Sequence, residues 1–148
     1  MSGPGLEQRE THQAIHRAAF VEAEQLTRLL RSVAKEPVPD RALAVADILI
    51  EHWETRILAH AEAEEAGLYT RIAQARPREG EIIHGLIRDH DMLRRLTAEI
   101  QTILASQGWT DGIVERFEAM LLVNSIHSRD EEAFLFSRDE VNELAEND

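Results

Sequence analysis

The apolar positions of this chain recur three and four residues apart over most of its length, which is the spacing of one face of an α-helix. From about Leu6 to Lys35 the stripe is Ile15, Ala18, Ala19, Leu26, Leu29, Leu30 and Val33, with Glu, Gln and Arg between. Glu36-Pro37-Val38-Pro39-Asp40 ends that helix, because proline lacks the amide donor and crowds the preceding turn. Asp40 is a candidate N-cap for a second helix, Arg41 to Ala75, whose stripe is Leu43, Ala46, Ile50, Trp53, Ile57, Ala61, Leu68 and Ile72. Gly67 marks a place for that helix to bend. Arg76-Pro77-Arg78-Glu79-Gly80 is the next break. A third helix follows from Glu81 to Ser106, with Ile82, Ile83, Leu86, Leu93, Leu96, Ile100, Ile103 and Leu104 inward. Gln107 to Gly112 breaks the chain again, and a fourth helix runs from Gly112 to Phe136. No segment alternates with period two. The expected fold is therefore all-α, an up-down-up-down antiparallel four-helix bundle over residues 6–136. Residues 1–5, with Ser, Gly and Pro, read as a flexible N-terminus. Residues 137–148 read as an acidic C-terminal tail with only Val141 and Leu144 to pack.

The polar positions carry a second pattern. His60-Ala61-Glu62-Ala63-Glu64-Glu65-Ala66-Gly67-Leu68-Tyr69 recurs as His127-Ser128-Arg129-Asp130-Glu131-Glu132-Ala133-Phe134-Leu135-Phe136, so both copies read His-x-x-x-Glu-Glu-Ala-x-Leu-aromatic. On a helix, His and Glu four apart sit roughly 6 Å apart along the axis and roughly 40° apart around it, so both reach one space. Imidazole and carboxylate together suit a transition metal. Aligning His16 with His90 sets Leu26, Leu29 and Leu30 on Ile100, Ile103 and Leu104. The chain thus reads as two similar helical hairpins, each bringing half of a site.

The breaks test that idea. Residues at one level of an antiparallel hairpin are centred on its turn. His16 and His60 are centred on Val38, His60 and His90 on Ala75, and His90 and His127 between Gly108 and Trp109. Each centre lies within or beside a break chosen from Pro and Gly alone, so four histidines, one per helix, share a level. His12 lies one turn from His16 and mirrors Glu64. Leu86 lies one turn from His90 and mirrors Glu64 and Glu131. The carboxylates form a second layer about 6 Å from the histidines, as a pair of bridged metal ions requires. A single His-x-x-x-Glu pair is an ordinary surface feature. Several histidines and two acids inside a bundle are costly unless something compensates them, and a metal does. His52 and His84 fall outside the set and read as surface or rim residues. Glu65 and Glu132 read as solvated positions, with a hydrogen bond to a ligand histidine as the alternative. Tyr69, Phe134, Phe136, Phe20 and Trp53 read as packing.

Composition narrows the function. The chain has 28 acidic and 16 basic residues among 148, a net charge of −12. This argues against nucleic acid and anionic membrane surfaces as partners. It has no cysteine, so thiolate ligands, iron–sulfur clusters and disulfides are excluded. The longest apolar run, Ala42 to Ile50, contains Asp47 and is too short to cross a bilayer. No leader segment is visible, and a cytoplasmic protein is expected.

From Leu6 to Phe136 the chain resembles the hemerythrin-like, HHE cation-binding domains. The residues that carry the resemblance are His16 on the first helix, His60 with Glu64 on the second, His90 on the third, and His127 with Glu131 on the fourth. The resemblance implies a four-helix bundle with a non-haem di-iron centre, two carboxylates bridging the irons and histidines outside. Manganese or zinc fits the same donors. Two departures stand out. Oxygen-carrying members have a further histidine one turn before the third-helix His, where this chain has Leu86. By the internal repeat, His12 supplies the fifth histidine from the first helix. The acid on the fourth helix is Glu131 by the repeat, or Glu132 by the carrier spacing of five. The expected metal residues are therefore His12, His16, His60, Glu64, His90, His127 and Glu131, with no residue assigned to catalysis. A ferritin-like site needs a second Glu-x-x-His beside Glu81–His84 and lacks it, and no His-Glu-x-x-His supports zinc hydrolysis.

Three functions follow for comparison. The leading one is a metal protein that binds dioxygen or a related small ligand such as nitric oxide, for carriage, sensing or iron handling. It works by reversible electron transfer at an open coordination position. The second is an enzyme consuming peroxide or oxidising iron, favoured if His12 stays out of the site. The third is a metal-stabilised interaction module using the acidic surface or tail. Leu86 is expected to wall the site, and no proton donor is evident beside it.

Overall fold

The structure is a computed structural model that describes residues 4–136, with side chains from 10 to 134. Helix α1 (Pro4–Val33) begins ahead of the expected start at Leu6. The first three residues of the expected flexible N-terminus and the expected acidic tail 137–148 lie outside the described residues. The second arm of the bundle is segmented. It comprises α2 (Asp40–His52), a π-helical turn (Trp53–Leu58), α3 (Ala59–Ala66) and α4 (Leu68–Ala75). A short 3-10 turn at Pro77–Glu79 leads into α5 (Gly80–Ser106), and α6 (Asp111–Phe136) closes the bundle. The four arms pack antiparallel, α1 against α2 and α6, and α5 against α6 and the π-helical turn. Pro37, Pro39 and Pro77 stand at the breaks, as the spacing predicts. At the third break Gly108 takes a φ of 73°, a conformation that a side chain disfavours.

Asp40 is the first residue of α2 rather than its cap. Pro39 holds the cap position, with no side-chain hydrogen bond. An acid in the first turn still suits the positive end of the helix.

The buried face of α1 is rotated from the expected stripe. Ala19, Ala23, Thr27, Leu30 and Val33 are buried, whereas Ile15 and Leu29 are about half exposed. The true face continues from His16 through Thr27, whose hydroxyl donates to the Ala23 carbonyl and so enters the core satisfied. An apolar count skips both positions. Ile82 on α5 is likewise exposed, with Ile83 inside.

Among the described residues two apolar clusters fill the bundle. The larger joins Leu30, Leu49, Trp53, Ile100, Phe117 and Met120 with their neighbours. The smaller, further along the arms, consists of Tyr69, Ile72, Ile83, Leu86 and Phe134. Along α5 and α6 the chain passes from one cluster to the other through His90, and through His127 and Glu131. The histidines and carboxylates are thus held between two dry, packed layers. His52 is not a surface residue: it is buried and one ring nitrogen lies 2.8 Å from the Ala19 carbonyl, tying α2 to α1. The π-helical turn follows it at once. Such wide turns often sit beside functional sites, and this one comes two residues before His60.

Candidate metal centre

All seven expected residues converge. His12, His16, His60 and Glu64 form one cluster of donor atoms. Glu64, His90, His127 and Glu131 form another, and in each the atoms lie within 4.8 Å of one another. Each carboxylate turns one oxygen to each cluster. Glu64 Oε2 lies 3.3 Å from His12, 3.6 Å from His16 and 3.7 Å from His60, while its Oε1 lies 3.7 Å from His90. Glu131 Oε1 lies 2.5 Å from His12 and 3.7 Å from His16, while its Oε2 lies 3.3 Å from His127. Two carboxylates therefore span two donor sets, with three histidines on one side and two on the other. His12 belongs to the set, and the fourth-helix acid that enters is Glu131, which is fully buried. Glu132 faces a groove beside Ser128 and Arg129.

A further ring of contacts orients the histidines. His90 Nδ1 lies 2.7 Å from Glu65 Oε2, which Arg94 also holds at 2.7 Å. His127 Nδ1 lies 2.9 Å from Asp89 Oδ2. An ionised carboxylate only accepts, so both Nδ1 atoms carry the proton. In a neutral ring Nε2 is then a lone-pair acceptor, and the two Nε2 atoms face each other at 3.0 Å. With both rings neutral, two acceptors at that distance require a proton or a cation between them. His60 Nε2 and Glu64 Oε2 are also buried without a hydrogen-bond partner. Buried polar atoms in this state are costly, and a metal ion resolves all of these contacts together. The donor set thus fits two metal ions, and its oxygen and imidazole donors accept iron, manganese or zinc.

The electrostatics point the same way. Burial pushes His16 down to about 3, and burial followed by the charge of His12 lowers His60. Burial and His127 lower His90. These three rings are thereby kept neutral, the state that binds metal. Burial also pulls on His127, but Glu131 and Asp89 outweigh it and raise its pKa. Burial and the neighbouring Glu131 raise Glu64. Burial acts in the same direction on Glu131, but hydrogen bonds from His12 and His127 hold it well below the usual range. Without a cation the two carboxylates cannot both be charged, and Glu64 is the one that keeps a proton.

Of three neighbours of the site, Asp89 and the Tyr69 hydroxyl went unread in the sequence, and Glu65 was read only as an alternative. Asp89 precedes His90 in the chain yet serves His127, and no spacing rule pairs residues on different helices. Glu65, read as solvated with a hydrogen bond to a ligand histidine as the alternative, follows the alternative and is half-buried against His90. Tyr69, read as packing, does pack against Leu86 and Phe134, but its hydroxyl also donates to Glu131 Oε2. Burial, then the charges of Glu131 and Glu64, raise its pKa. A cavity of about 20 Å³ borders the site, lined by Ile15, Ile57, Ala61 and Asn124 with the histidines. His84 is exposed, as expected.

The fold and these donors define a helical-bundle protein with a buried candidate site for two cations. The sequence pattern of the hemerythrin HHE cation binding domain matches residues 8–136, and the chain belongs to that family. No curated protein and no solved structure matches the chain. Among the described residues no helix is long and apolar enough to cross a membrane.

Proposed function

We propose that this chain is a non-haem di-iron protein that binds dioxygen or a related small ligand such as nitric oxide, for carriage, sensing or iron handling. The observation that carries the reading is the division of donors: Glu64 belongs to both groups, Glu131 belongs to one and also approaches His12 and His16, and the histidines divide three to two. His12, His16 and His60 would hold one iron, and His90 and His127 the other. The unequal histidine count makes the two positions chemically different. Bound iron supplies the reversible one-electron chemistry that no side chain here can.

The chain's own residues do the rest. Asp89 and Glu65 fix the tautomer and tilt of His127 and His90. Leu86, Ile83 and Phe134 keep one side dry. The cavity past Ile57 and Asn124 is the way in, and its narrowness favours molecules of about the size of water over organic substrates. His12 within the cluster favours the binder over the peroxide-consuming enzyme, because it completes the three-histidine set.

The test is iron content per chain after growth in iron, with absorption recorded before and after reduction and on return to air. Two irons per chain, with near-ultraviolet bands that bleach and recover, is the expected result. One metal or none in a protein that stays folded sinks the di-iron reading. Rapid repeated loss of added hydrogen peroxide would move the protein to the enzyme class.

A further inference from the structure

Tyr69 is the chain's one tyrosine. The break at Gly67 turns it inward. At that break α3 ends and α4 begins, and a Cβ on Gly67 would come within 3.1 Å of the Ala63 carbonyl. The Tyr69 ring is 1% exposed and stacks on His90, with centroids 5.8 Å apart and planes within 8°. Its hydroxyl meets Glu131 Oε2, the carboxylate oxygen that also faces His127. The phenol oxygen therefore enters the half of the site that has two histidines. The other half has five side-chain donors, His12, His16 and His60 with Glu64 and Glu131, and this half has four without the phenol. The position that could bring a third histidine from α5 is Leu86, and Leu86 packs in the same buried cluster as Tyr69.

We propose that Tyr69 is the fifth protein donor to the two-histidine metal position, its phenolate oxygen standing in for the histidine that Leu86 replaces. The inference rests on the two-metal reading above. The metal takes the place of the phenol proton: the O–H bond breaks, an oxygen–metal bond forms, and the proton leaves to solvent, as it does whenever a metal binds a protonated ligand. No electron is transferred. An anionic oxygen is a donor of the same kind as the two carboxylates and suits iron or manganese. With it, both positions have five protein donors. The stacking on His90 holds the ring in place, so little freedom is lost when the bond forms.

The experiment uses the full chain loaded with iron and oxidised, with metal content, visible absorption and resonance Raman measured on one sample. A phenolate bound to ferric iron gives a charge-transfer band in the visible range and tyrosine ring modes enhanced within it. The expected result is both signals in the natural protein, with both lost in Tyr69→Phe while iron content is kept. Two irons without the phenolate signals overturn this proposal and leave the di-iron reading standing. No bound iron overturns both. Because there is a single tyrosine, the natural protein alone decides the matter even if Tyr69→Phe fails to fold.

Discussion

Asp89→Asn is the perturbation that most directly tests how the site is held. Asp89 Oδ2 accepts from His127 Nδ1 at 2.9 Å and lies 22% exposed at the rim of the site. Asparagine has nearly the same shape and keeps an acceptor oxygen, so the bundle keeps its packing. What is lost is the negative charge behind the imidazole. A hydrogen bond to a charged group contributes about 1.5–3 kcal/mol, and a neutral one about 0.5–1.5 kcal/mol. The difference is about 1–1.5 kcal/mol, close to the ~1.4 kcal/mol of a tenfold change in affinity. Partial exposure screens some of it, which puts the loss at the low end of the roughly 10–100-fold seen when such partners are removed. The assay is competition with a chromophoric chelator, followed site by site. One metal equivalent should weaken about tenfold while the other, held by His12, His16 and His60, is unchanged. An affinity within twofold of the natural protein for both equivalents would refute the claim that Asp89 tunes His127. Equal weakening of both would refute the assignment of His127 to one position.

Metal removal should lower thermal stability. A ligand held at about 1,000 times its Kd stabilises by about 4.1 kcal/mol. At roughly 2–4 °C per kcal/mol for a domain of this size, chelation should drop Tm by about 8–16 °C, and an unchanged melting curve would contradict a metal placed among the buried donors. The metal-free protein should also respond to pH with a definite sign. His16, His60 and His90 have lowered pKa values, so the unfolded chain binds more protons at these sites, and stability falls as pH drops below 6.5, for His16 down to about 3. Glu64 and His127 have raised values and work the other way, losing their contribution as pH rises through their folded pKa values. Three sites against one between pH 4.5 and 6.5 predict a lower urea midpoint at pH 4.5 than at 6.5, and equal midpoints would overturn the assignment of neutral buried rings.

The sequence by itself determined the helices, their breaks and the level of the histidines. These follow from local rules. Apolar spacing, the missing amide of Pro37, Pro39 and Pro77, and the freedom of Gly108 act within a few residues, and equal arm lengths then set His16, His60, His90 and His127 side by side. The repeat also singled out Glu131 over Glu132, because a helix turns about 100° per residue and only one of two neighbours can face inward. Tertiary structure decided how each arm is rotated about its axis. That rotation put Ile15, Leu29 and Ile82 outside and His52 inside. It also set the contacts that join different arms: Asp89 to His127, Glu65 to His90, Tyr69 to Glu131. The π-helical turn at Trp53–Leu58 is of the same kind, since it adjusts one arm to its neighbours without a sequence mark of its own. Periodicity gives the face of a helix to within a residue, whereas a hydrogen bond needs atoms placed to within a few tenths of an ångström. That placement is set by the packed core around Trp53, Phe117 and Met120 on one side and Leu86 on the other, which no single stretch of chain contains.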